Sequence, residues 1–442
     1  MRVLNLYYPY DRGLEEIPDI SSLPNLEEFS IQECDELITI DNSFGFLCKL
    51  KILRILDCRQ IQSIPPLRLA SLEELHISGC HGLENFLPVV DGFGDKLKTM
   101  SFRDCHNLRS IPPLKLDSLE TLDLSNCHNL MSIGTLKLDS LETLDLPYCV
   151  SLESFPLVDD MFLGKLKTLL VTNCHNLKSI PPLKLDALET LDLSNCFALE
   201  SFSSVGGGLL DKLKFINMEY CILLRSIPQL RLTSLEHFNL SCCYSLESFP
   251  EILGEMRNIP GLLLDETSIN ELPFPCHNLT QPQTFHPCEC EYIGQWQDYS
   301  YTPGVQLTIL NEEKVIPIQS SNVKYICVRN IKLSDELLSK TLMLFANVKE
   351  LHLADNQLTI IPKSIENCHF LWKLLLDNSK KLQEIKGIPP CLRELSALNC
   401  MSLTSSCKSK LLNQVMIYFV FNCTVFYILL DIVKLTLIIY DQ

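Results

Sequence analysis

Leucines recur along this chain as L-x-x-L-x-L-x-x-C-x-x-L-x-x-I/F, with x mostly polar. The first leucine of each unit falls at Leu26, Leu50, Leu72, Leu97, Leu119, Leu141, Leu166, Leu188, Leu213 and Leu235, at intervals of 22 to 25 residues. Eight residues on stands a cysteine each time: Cys34, Cys58, Cys80, Cys105, Cys127, Cys149, Cys174, Cys196, Cys221 and Cys243. Weaker units begin at Met1, Ile259, Val323, Val348, Leu371 and Leu392, the last with Cys400 at the cysteine position. L-x-L alternates with period two, so it predicts a short strand with its leucines turned inward. The SIPPLKL and SFP segments that follow predict extended backbone, because proline disfavours helix.

One such unit cannot bury its own leucines, whereas stacked units share a continuous core. The pattern therefore predicts an α/β leucine-rich-repeat solenoid, a curved horseshoe. Its concave face is a parallel β-sheet, and its convex face is mostly extended chain or short helical turns. About twelve units span 1–272 and about four span 318–414. The register is lost over 273–317, and 415–442 forms a hydrophobic tail. The cysteines read as rungs of a buried ladder, each a small hydrophobe with a weak donor at the strand end. CHNLRSIPPLKLDSLETLDLSNC at 105–127 returns almost unchanged at 174–196, which indicates tandem duplication.

Net charge is -17, which argues against a general nucleic-acid surface. The chain has 21 cysteines but no secretory signal at its N-terminus, so these read as reduced thiols in the cytoplasm. His106, His128 and His175 follow ladder cysteines at one per unit, not at the clustered spacing of a zinc set. Cys276, His277, His286, Cys288 and Cys290 lie closer together, but C-x-C lacks the usual spacing. No metal, cofactor or catalytic motif is assigned. The G-x-x-x-x-G-K-[ST] phosphate loop is absent, as are H-E-x-x-H and G-x-S-x-G. Sequons at Asn239, Asn278 and Asn422 read as chance, since nothing indicates secretion. The tail from Val415 to Tyr440 is long enough to span a membrane but contains Asp431 and Lys434, so membrane association through it is the alternative localisation.

The repeat L-x-x-L-x-L-x-x-C-x-x-L-x-x-I-P resembles the C-terminal repeat region of plant disease-resistance proteins with TIR and NB-ARC modules. So do MRVLNLYYPYDRGLEEIPDISSLPNLEEFS, LFANVKELHLADNQLTIIPKSIENC and IPPCLRELSALNCMSLTSSCKSKLLNQ, which are similar to segments of legume members. The resemblance covers roughly residues 1–414 and implies a non-enzymatic role in sensing pathogen effectors and regulating a nucleotide-binding switch. TIR and NB-ARC modules are missing from this sequence, so it reads as a fragment or truncated product. The alternative is the substrate-recognition solenoid of an F-box-type ubiquitin ligase, whose convex helices the prolines argue against.

Function is then expected on the outward positions two, four and six residues after each leading leucine and on side chains nearby. Candidates for a protein ligand are His76, Arg103, Asp123, Asp145, Tyr148, Asp192, Phe215, Glu219, Tyr220 and His237. Asp123, Asp145 and Asp192 are expected to form an acidic strip that nothing in the core requires, suited to a basic partner.

Overall fold

The computed structural model describes the chain apart from residues 8–13, 18, 41–43, 45–46, 65–68, 87–94, 135, 156–162, 205–209, 228–229, 231–233, 249–260, 270–323, 331–332, 334, 345–346, 412–426 and 431–442. The chain divides into two compact units. The first comprises Met1–Leu232, Asn239–Leu246 and Pro250–Leu253; the second comprises Thr233–Phe238, Glu247–Phe249 and Gly254–Gln442.

In the first unit each L-x-L segment is a strand of a parallel sheet. Val3–Tyr7 pairs with Glu28–Gln32, which pairs with Ile52–Leu56, and so on through Thr121–Asp123, Thr143–Asp145, Thr168–Leu170 and Thr190–Asp192 to Phe215–Asn217. Equivalent residues stand opposite one another, so each repeat position becomes a row running across the sheet. From Leu26 to Leu213 the leading leucines and the two apolar residues at positions three and five are buried, as Leu119, Leu122 and Leu124 illustrate. On the other side the SIP segments pair as two-residue strands, Ser63–Ile64, Asn85–Phe86, Ser110–Ile111 and Ser132–Ile133. This is the extended backbone that the prolines predict.

The ten cysteines of the first ladder are fully buried, and Cys400 is nearly so. The rung mechanism is visible in their hydrogen bonds. Cys127 Sγ donates to the Phe102 carbonyl of the preceding unit at 3.1 Å, Cys149 to Leu124 at 3.2 Å and Cys174 to Leu146 at 3.1 Å. In the second unit Asn356 takes the same position, and its amide donates to the Val328, Leu353 and Ala354 carbonyls. Burial pushes the Cys127 and Cys243 thiols up to about 12. All described cysteines are free thiols, and only Cys48 and Cys391 among them are exposed. Buried, protonated thiols are poor nucleophiles. Alkylation mapped by mass spectrometry should therefore mark Cys48 and Cys391 quickly and the ladder only after denaturant is added. Fast labelling of the ladder in the native protein would refute the rung assignment.

The second unit repeats the scheme with Gly261–Leu263, Tyr325–Cys327, Glu350–His352, Lys373–Leu375 and Glu394–Ala397 paired in parallel. It also contains an α-helix, Asp335–Leu344, longer than the short turns expected. The segment has no proline, and Leu338 and Leu342, four apart, bury on one helical face. From the apolar tail, Tyr427–Leu430 pairs in parallel with Glu394–Ala397. Among the described residues no helix is long and apolar enough to cross a membrane. The stretch 273–317, with its cysteines, histidines and Asn278, lies outside the described residues, as does Asn422.

Candidate functional site

Position four of each repeat lies in one row, and the register sets Asp123 opposite Asp145 and Leu170 opposite Asp192. Contrary to the expectation from sequence, the row is not free of structural duty. Asp123 is only 9% exposed. Its Oδ1 accepts the Ser125 N–H at 2.9 Å and the Ser125 hydroxyl, and its Oδ2 receives Arg103 Nη2 at 3.0 Å. Asp192 Oδ1 accepts the Ser194 N–H at 3.0 Å. Asn217 and Asn239 do the same for Glu219 and Ser241. A position-four carboxylate or amide thus fixes the amide two residues on, a local device like an Asx turn. The expectation that these aspartates serve no structural end is corrected accordingly.

Asp145 breaks this rule. Two residues on stands Pro147, which has no N–H to donate. Asp145 Oδ1 is buried and has no hydrogen-bond partner among the described residues. Burial, and then the neighbouring Asp123 charge, raise the Asp145 carboxyl to about 6. Tyr148 breaks a second rule. Position seven adopts left-handed backbone throughout, with φ between +53 and +65° from Glu33 to Asn399. Asn, Asp and Gly tolerate that region and dominate the row; bulky side chains do not. Tyr148 sits there at φ 60° with its side chain 48% exposed, and Tyr220 sits there at the same φ. The duplicates make the contrast plain: Leu122–Cys127 and Leu191–Cys196 both read LDLSNC, whereas Leu144–Cys149 reads LDLPYC.

The remaining sequence candidates, His237 excepted, spread along the first unit. His76 Nε2 lies 3.4 Å from Glu74 Oε2, which also receives Arg54 at 3.0 Å. Glu219 accepts from the Asn239 amide at 3.2 Å. Phe215 and Tyr220 are partly buried, and His237 belongs to the second unit. The turn histidines stack: His81, His106 and His128 lie ring on ring at 4.4 and 4.5 Å, with the planes nearly parallel. Burial, and then the adjacent imidazole, lower His106 and His128.

Sequence reasoning missed a polar cluster on the sheet of the second unit. Tyr325 Oη lies 3.1 Å from His352 Nδ1, and the Cys327 thiol donates to Asp265 Oδ2 at 2.9 Å. Arg329 Nη2 pairs with Asp355 at 3.1 Å; among the described residues Arg329 Nε and His352 Nε2 have no hydrogen-bond partner, although Glu350 Oε2 lies 3.7 Å from the latter. Burial, then the Lys373 and Arg329 charges, hold His352 down at about 4. These residues belong to the units at Ile259, Val323 and Val348, whose weak ladder residues hid them. Among the described residues no group of three or more His, Cys, Asp or Glu side chains could hold a metal ion.

Residues 347–368 match the family model described as Leucine Rich Repeat. Disease resistance protein RPP4 of Arabidopsis thaliana is 39% identical over 82 residues, which is 18% of this chain and 7% of that protein. TMV resistance protein N of Nicotiana glutinosa is 31% identical over 83 residues, 19% of this chain and 7% of that protein. The chain thus spans under a tenth of the length of these curated relatives. Among solved structures, the leucine-rich repeat domain of the type III effector XCV3220 (XopL) aligns with 49% of this chain and 75% of its own, at 23% identity and a TM-score of 0.38. The chain is a leucine-rich-repeat solenoid, similar over about a fifth of its length to plant disease-resistance proteins.

Proposed function

We propose that the chain is a non-enzymatic protein-recognition module of the plant immune-receptor type, acting in the cytoplasm. Its sheet face and the adjoining turn take a protein ligand, either a pathogen effector or a switch domain of a parent receptor. The segment from Asp145 to Tyr148 is the centre of that face. Around it in the first unit lie Arg103, Asp123, Asp192, Phe215, Glu219 and Tyr220, with His76 farther along the same sheet.

One observation carries this reading. A duplicated repeat that could have kept LDLSNC instead holds a buried carboxylate oxygen with no hydrogen-bond partner among the described residues, beside a tyrosine in unfavourable backbone. Both features cost stability, and costs of this kind concentrate at sites of function. A cationic group on the ligand would satisfy Asp145, and the exposed tyrosine would pack against it.

The carboxylates should act mainly on the association rate. Replacing Asp123, Asp145 and Asp192 together with asparagine keeps an acceptor at each position, so the fold should survive. Association of a basic polypeptide selected on the wild-type chain should slow roughly tenfold and lose most of its salt dependence. An unchanged rate and salt slope, measured by stopped flow, would leave the row as structure alone.

A further inference from the structure

The position directly after each leading leucine lies on the flank of the sheet, and in the first unit it is a ladder of compensated charge. Lys51 meets Glu27 at 3.3 Å, Lys167 meets Glu142 at 2.8 Å and Lys214 meets Glu189 at 2.7 Å, each pair joining adjacent repeats. Such exposed pairs add little stability, but they leave the row nearly neutral.

In the second unit the last four rungs of the same row read Lys324, Lys349, Trp372 and Arg393. Backbone hydrogen bonds set them on successive rungs: Lys349 N to Lys324 O at 2.7 Å, Trp372 N to Lys349 O at 2.9 Å and Arg393 N to Trp372 O at 2.7 Å. These four rungs contain no carboxylate. Among the described residues no ion pair reaches Lys349 or Arg393, and both are exposed. Glu394, in the neighbouring row, is held by Lys373 at 3.4 Å. Burial, and then the Lys349 charge, lower Lys324, as expected for stacked like charges. Two rungs of a parallel sheet put Lys349 and Arg393 about 10 Å apart. Between them the Trp372 ring, the 57% exposed Phe370 and Cys391 line an open cleft of about 360 Å³.

A chain of net charge -17 that balances this row in the first unit and leaves the four rungs from Lys324 to Arg393 cationic and aromatic offers a place for an anion. We propose that this flank binds an acidic protein segment in which two carboxylates, three residues apart, bracket an aromatic or large apolar side chain. That side chain enters the cleft against Trp372 and Phe370, and the carboxylates pair with Lys349 and Arg393. Three residues of extended chain span about 10 Å, which matches the distance between the two cations. The inference rests on the protein-recognition reading but uses another face and the opposite charge.

The test uses the full chain carrying Trp296→Phe, which leaves Trp372 as its single tryptophan. Its emission is titrated with the peptide Gly-Glu-Phe-Ser-Glu-Gly, with the same peptide carrying glutamine for glutamate, and with a thymidine hexanucleotide. The acidic peptide should change the emission saturably. The glutamine peptide should bind at least about tenfold more weakly, equivalent to about 1.4 kcal/mol. The acidic peptide should weaken as much on Lys349→Glu with Arg393→Glu, and on the milder Lys349→Gln with Arg393→Gln, where thermal unfolding confirms the fold. Equal binding of the glutamine peptide, binding of the oligonucleotide in place of the peptide, unchanged affinity in the double variants, or no saturable response would each overturn the proposal. The triple Asp→Asn variant of the sheet face should bind the peptide like the wild type. Failure on this flank is thereby distinguished from failure of the sheet-face reading.

Discussion

Cys127→Asp should unfold the first unit at neutral pH, whereas Cys127→Asn should be tolerated. The Cys127 side chain is fully enclosed and its thiol donates to the Phe102 carbonyl. An aspartate there must either ionise without a partner or hold its proton at a pH far above its usual value. A rise of three or more units in carboxyl pKa corresponds to at least about 4 kcal/mol at pH 7. That is a large part of a typical domain's stability of about 5–15 kcal/mol. The sign follows from linkage: the folded pKa lies above the unfolded one, so the penalty grows as pH rises from about 4 up to the folded pKa and disappears below 4. Asparagine differs because its amide can donate. Asn356 fills the equivalent position in the second unit and reaches the carbonyls of Leu353 and Ala354 at 3.0 and 3.2 Å. Its extra volume in the first unit should cost about 1–2 kcal/mol. Urea unfolding at pH 7 separates the two variants. Equal stability of the aspartate and asparagine proteins would show that position 127 is not a closed rung.

Much of this fold was legible because its rule is local and repeated. Leu119, Leu122, Leu124 and Cys127 announce strand, core and rung within nine residues, and ten copies leave little room for another reading. The site was legible only in part. Asp123 and Asp192 were read as outward charges because alternation assigns a face but not a hydrogen bond. The donor is the amide of Ser125 or Ser194, and every non-proline residue carries one. The Pro147 exception was therefore present in the sequence, yet its meaning appears only once the other repeats show what their amides do. Tyr148 is similar, since nothing in its immediate neighbours signals left-handed backbone until the row of Asn and Asp at position seven is aligned. The cluster of Asp265, Tyr325, Cys327 and His352 was hidden for another reason. Asp265 and Cys327 are 62 residues apart in sequence and come together across a stretch where the repeat pattern lapses.

Restoring the duplicate motif, by Pro147→Ser with Tyr148→Asn, should stabilise the first unit and weaken ligand binding. A returned amide satisfies Asp145 Oδ1, a gain of about 1–3 kcal/mol for a buried acceptor. Relief of a bulky residue at φ 60° adds about 1 kcal/mol. Loss of proline's restriction on the unfolded chain offsets about 0.4–1 kcal/mol. The net gain should be roughly 1–3 kcal/mol, or several degrees in Tm for a unit of this size. It should also depend on pH. The Asp145 carboxyl, raised to about 6, disfavours the folded wild type while ionised. As pH falls through 6 toward 4 that penalty disappears, so the advantage of the variant should be larger at pH 7.5 than at pH 4.5.

The same variant tests the central claim, that costly departures from the repeat mark the recognition face. Polypeptides selected on the wild-type chain from a display library would be re-measured on the restored chain, alongside its unfolding free energy. The account predicts a more stable protein to which most of the basic polypeptides bind at least about tenfold more weakly, a loss of about 1.4 kcal/mol. A protein that gains the stability and keeps every affinity would contradict it, and would reduce Pro147 and Tyr148 to drift in a duplicated repeat.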